Sequence, residues 1–66
     1  MAMKDAEYEL EDIVDKYSLA EVLGMLADIC EEKAQHLEEN WQDRVSAKFW
    51  RRAGKIVITA SNKVDV

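Results

Sequence analysis

The sequence predicts a small all-α protein, a helical hairpin with a short N-terminal helix, and three observations lead there. The chain of 66 residues has no proline and only two glycines, Gly24 and Gly54. A multi-stranded sheet needs a turn signal roughly every 8–12 residues, and these residues cannot supply it. The apolar residues instead recur at three-and-four spacing, the period of an amphipathic helix. Finally, 48% of residues are hydrophobic, which is ample for a packed core and unlike a disordered chain.

The first element is a helix over about residues 5–16, marked by Leu10, Ile13, Val14 and Tyr17. Its acidic first turns suit the positive end of a helix dipole. The second starts at a capping box, Ser18-Leu19-Ala20-Glu21. The Ser18 hydroxyl can accept from the amide of Glu21, while the Glu21 carboxylate reaches back, and Tyr17 and Val22 have the spacing of a hydrophobic staple. From there Leu19, Val22, Leu23, Leu26, Ile29, Cys30, Ala34, Leu37 and Trp41 form an apolar stripe, with Glu21, Asp28, Glu31, Glu32, Gln35, Glu38 and Glu39 opposite. This predicts a helix over about residues 19–39, some 30 Å long.

Asn40 and Asp43 are both candidate N-caps for a third helix over about residues 44–60. Val45, Phe49, Ala53, Ile56 and Ala60 make its stripe, with Trp50 and Val57 beside it. The β-branched run Lys55-Ile56-Val57-Ile58-Thr59 follows Gly54, which could instead cap the helix and leave a strand. A lone strand has nothing to pair with, so helix is the preferred reading. Residues 61–66 are expected to be a loose tail. Gly24 costs its helix about 1 kcal/mol against alanine, and is either tolerated or placed for close helix approach.

Together these make one small domain, residues 1–66, marginal as a monomer because so short a chain buries only about 60% of its unfolded surface. The lone cysteine, Cys30, excludes an internal disulfide and argues for a reducing, cytoplasmic setting. The acidic N-terminus lacks a signal peptide's hydrophobic region, and no apolar run approaches a membrane span. Two hairpins meeting face to face would complete a four-helix bundle, so a homodimer is expected. Trp41, Phe49 and Trp50 are the candidate interface centre, since buried aromatics dominate interface energies. Ordinary core packing within the chain is the competing role for Trp41.

Charge is divided unevenly. Residues 1–43 carry 13 acidic and 3 basic side chains, whereas residues 44–66 carry 1 acidic and 6 basic ones, within a net of −5. Arg44, Lys48, Arg51 and Lys55 line one helical face, with Arg52 flanking it. Such a face either meets the acidic helices, in the same chain or a second copy, or binds an anion. Complementary charge beside an apolar seam specifies helix pairing. The alternative is a nucleic-acid-binding regulator, with Trp50 available for stacking. That alternative predicts that Arg51→Ala/Arg52→Ala abolishes retention on DNA or RNA while helicity is unchanged; no retention by the parent chain removes it.

Catalytic patterns are scarce. His36 could share a face with Glu32 and Glu39, but a di-iron bundle wants Glu-x-x-His, and Lys33 stands where that glutamate belongs. A solvated face is the ordinary reading, and no metal or other cofactor is assigned. Glu9, Glu11, Asp12 and Asp15, and Asp28, Glu31 and Glu32, share only their spacing with the Mg²⁺-binding pairs of all-helical nucleotide pyrophosphohydrolases. A Mg²⁺-dependent nucleotide hydrolase is therefore the remotest reading. Cys30 and His36 lie about 240° apart around one helix and form no dyad. The expectation is a non-enzymatic, self-associating protein–protein interaction or regulatory module.

The stretch from Tyr17-Ser-Leu-Ala-Glu-Val-Leu through Ala27-Asp-Ile-Cys-Glu-Glu-Lys-Ala to Asn40-Trp-Gln-Asp43 resembles short helical proteins of cyanobacteria and their phages. The resemblance implies a small cytoplasmic helical protein and brings neither activity nor site residues with it.

Overall fold

The computed structural model describes residues 2–66, with side chains from Lys4 onward. It is all-α: α1 spans Ala2–Tyr17, α2 Leu19–Asn40 and α3 Arg44–Lys63. Helices α2 and α3 form an antiparallel hairpin, while α1, among the described residues, contacts α2 and not α3. The molecule measures 37 × 31 × 14 Å. The short dimension leaves room for no more than two helices packed side by side at about 8–10 Å between axes, so the hairpin has no further layer over it.

Each joint has a local cause. The Ser18 hydroxyl accepts from the Glu21 amide at 3.2 Å, which makes half of the capping box. Backbone bonds run through the same joint, from Ser18 N to Val14 O and from Val22 N to Ser18 O, so α1 continues into α2 across one residue. Ser18 takes φ 98° to do so. That is a region nearly confined to glycine, and it costs a residue with a Cβ about 1–3 kcal/mol. Glycine as an N-cap loses only a few tenths relative to serine. Ser18→Gly should therefore stabilise by about 1 kcal/mol in thermal unfolding, whereas Ser18→Ala, which keeps the strain and loses the cap, should destabilise. At the second joint the Leu37 carbonyl accepts from both Trp41 and Asp43, with Gln42 left-handed at φ 51° between them. Asp43 caps α3, its carboxylate accepting from the Ser46 amide at 3.0 Å.

Small residues make the seam of the hairpin. Its buried apolar side chains are Val22, Ala27, Cys30 and Ala34 from α2 and Ala47 from α3, with Ala34 and Ala47 both at 0% exposure. Gly54 is buried among them, and a Cβ there would lie 3.2 Å from the Cys30 Cβ and 3.5 Å from the Ala27 carbonyl oxygen. Gly54 is thus the residue of close approach and does not end the helix: α3 runs on through the β-branched segment. Thr59 settles there by donating its hydroxyl to the Lys55 carbonyl, 2.9 Å away. Gly24 has no atom within 4 Å of a Cβ position, so it permits no close packing within the chain. Gly24→Ala should raise stability by about 0.5–1 kcal/mol through helix propensity alone.

The stripe Val45, Phe49, Ile56 lies on the side of α3 away from α2, opposite Ala47 and Gly54. Narrow side chains let the two backbones approach, and they displace the wide ones from the seam. The loose tail expected over residues 61–66 is corrected in part: α3 runs on to Lys63, the Ser61 hydroxyl donates to the Ala20 carbonyl at 2.9 Å, and the Val66 carbonyl accepts from the Ala20 amide at 2.6 Å. The chain end thereby satisfies a donor that the first turn of α2 leaves without an intrahelical partner.

Candidate functional site

A one-layer hairpin has two broad faces and two edges, and the sequence gives each its own chemistry. On one face Arg51 of α3 reaches across the seam to Glu38 of α2. Its two terminal nitrogens stand 3.0 and 3.1 Å from the carboxylate oxygens, in a fork-to-fork pair, and its Nε lies 3.7 Å from Glu31. The hydrogen bond from Arg51, and then its charge, hold the Glu38 carboxyl below the ordinary value of 4.5. The backbone amide of Ser46 holds Asp43 below 3.8. A carboxyl depressed by folding stabilises above its unfolded value and loses that contribution as pH falls through the folded one. The thermal midpoint should therefore decline as pH drops below about 4.5, and Glu38→Gln should flatten part of that decline.

The opposite face is apolar. Ile29, Leu37 and Trp50 line an open cleft of about 390 Å³, bordered by Glu32, Lys33 and His36, and the Lys33 ammonium sits 5.5 Å from the centre of the Trp50 ring. Leu26 and Met25 lie exposed on the same helix as Ile29. At the outer edge of α3, Val45, Phe49 and Ile56 are 68%, 63% and 65% exposed.

The three aromatic candidates are not brought together. Trp50 lines the cleft, whereas Phe49 points about 100° away around α3 toward the outer edge. Trp41 ends α2 and is 70% exposed, so it is not core. Its indole N–H donates to His36 Nε2 at 3.3 Å, and the Asn40 amide group lies 2.8 Å from His36 Nδ1.

Of the basic candidates, Arg51 is committed to Glu38 and Glu31, while Arg44, Lys48, Arg52 and Lys55 are exposed and form no ion pair among the described residues. Among those residues no three His, Cys, Asp or Glu side chains stand close enough to hold a metal ion, and no helix is long and apolar enough to cross a membrane. The arm was predicted as a short helix but not as a site: α1 carries Tyr8, Leu10, Ile13 and Tyr17 exposed and, of the two other helices, contacts α2 alone among the described residues. The signal was present in the stripe at Leu10, Ile13 and Tyr17, which has no hairpin partner to face.

These features define a helical scaffold whose unsatisfied chemistry is surface: an apolar face, an apolar edge beside cations, and an acidic arm. Comparison with protein-family models, with curated proteins and with solved structures gives no match to this chain.

Proposed function

We propose that this is a small non-enzymatic interaction module that self-associates, its apolar hairpin face meeting that of a second copy to complete a four-helix bundle. The observation that carries the reading is surface area. The chain exposes 5520 Å², whereas a folded monomer of 7.6 kDa is expected to expose about 4,300 Å². A compact dimer of twice that mass would expose about 7,100 Å². Two separate copies expose twice 5520 Å², so pairing would remove about 3,900 Å² in total, within the span of obligate homodimers.

The seam supports the same reading. It contains no large side chain that is fully buried, and a chain of this size with so thin a core needs a disulfide, a metal or a partner. A second layer is also what a one-layer architecture lacks. The Arg51–Glu38 pair supports a part for the charge division in helix pairing, since it ties the basic helix to the acidic one. Light scattering after size exclusion, at about 50 mM and 500 mM salt, tests the proposal. A mass near twice 7.6 kDa at both salts supports an apolar interface; a monomer at both, across the accessible concentrations, overturns it.

A further inference from the structure

We propose that α1 is an exchange arm, lying along the outer edge of α3 in a second copy of this chain while the second copy's α1 returns the contact. The proposal rests on self-association and specifies a contact beyond the stacked hairpin faces. Its first support is that α1 and the outer edge of α3 both expose apolar side chains, and the two helices make no contact with each other among the described residues. Leu10 and Ile13 are 51% and 41% exposed on one, and Val45, Phe49 and Ile56 more so on the other. Only Ser18 separates α1 from α2, and hydrogen bonds to Val14 and from Val22 hold that joint on both sides, so the arm is anchored to α2 at one end.

Charge supplies the second support. Helix α1 carries six acidic side chains against two lysines, and α3 carries six basic side chains and no acidic one. Among the described residues, only Arg51 of those six forms an ion pair within the chain. Around α1, Glu7 and Glu11 border the stripe of Leu10, Val14 and Tyr17; around α3, Lys48 and Arg52 border the stripe of Val45, Phe49 and Ile56. Opposite charges beside matching apolar stripes are what select one helix pairing over others. Lengths agree as well. Sixteen residues of α1 make about 24 Å, and the edge from Val45 to Ala60 runs about 23 Å. A second copy is the occupant that both elements fit, because one exchange covers two arms and two edges at once.

The test is a charge swap on the full chain. One variant carries Glu7→Lys/Glu11→Lys and another Lys48→Glu/Arg52→Glu. Each alone opposes like charges at both exchanged contacts; mixed one to one, they restore opposite charges at both. Dissociation constants come from sedimentation velocity over a dilution series, with helicity followed by circular dichroism. The expected result is association weakened about a hundredfold in each variant and returned to near the parent's value in the mixture. A parent that dimerises while the variants dimerise equally well, or fail to recover on mixing, overturns the exchange and leaves the stacked hairpins standing. A parent that stays monomeric overturns self-association itself.

Discussion

Gly54→Leu is expected to unfold this chain at room temperature, with its helical circular dichroism lost and no cooperative thermal transition left to measure. The Cβ alone would sit 3.2 Å from the Cys30 Cβ and 3.5 Å from the Ala27 carbonyl. The first of these neighbours is the stem of a buried side chain and the second is backbone, so neither can swing aside. For Gly54→Ala the neighbours must yield by a few tenths of an ångström, and the gain in helix propensity of about 1 kcal/mol offsets that; its midpoint should stay near the parent's. Leucine adds three more carbons between the two backbones. It forces α2 and α3 apart, and with them the contacts of Ala34 and Ala47 that close the same seam. Overpacking typically costs about 1–3 kcal/mol and sometimes more, against a stability that a core of this size rarely raises above about 3–5 kcal/mol. A Gly54→Leu chain that melts like the parent would show that the helices do not approach this closely.

Gly54 also shows where the sequence was legible and where it was not. The Ser18 cap could be read because a side chain and an amide three residues apart are a local matter. The class of fold followed from the absence of turn formers and from apolar spacing, both of them averages over many residues. Glycine is ambiguous by comparison: it ends helices by taking positive φ and admits a second helix by lacking a Cβ, and only the neighbour across the seam decides. At Gly54 that neighbour is Cys30, twenty-four positions away in the chain. The β-branched run after it is helical for the same reason, since tertiary packing outweighs a propensity difference of a few tenths per residue.

The candidate site was legible in composition more than in geometry. Periodicity reports that α3 has a wide apolar arc, and it gives the arc's centre as Val45, Phe49 and Ile56. It cannot report that the narrower Ala47 and Gly54 win the contact with α2, which turns that centre outward. The charge division was visible, but the commitment of Arg51 alone among the basic candidates depends on Glu38 lying across the seam at hydrogen-bond distance.

Leu26→Asp/Ile29→Asp should abolish self-association while leaving a helical chain. Both side chains stand on the apolar face of α2 and are about two-fifths exposed in the single chain, so each aspartate there keeps water within reach and costs the isolated hairpin little beyond helix propensity. Against a second copy the same two carboxylates would be enclosed, with the single lysine of that cleft, Lys33, beside position 29 and no cation left for the other. An uncompensated buried charge costs about 3–5 kcal/mol, which weakens association by a factor of about a hundred to several thousand. The difference should also appear in heat stability. If folding and pairing are linked, the parent's melting temperature rises with protein concentration, and that of the double variant stays flat. A double variant of unchanged mass and unchanged concentration dependence would remove the hairpin face from the interface, and with it the reason this one-layer fold needs its second copy.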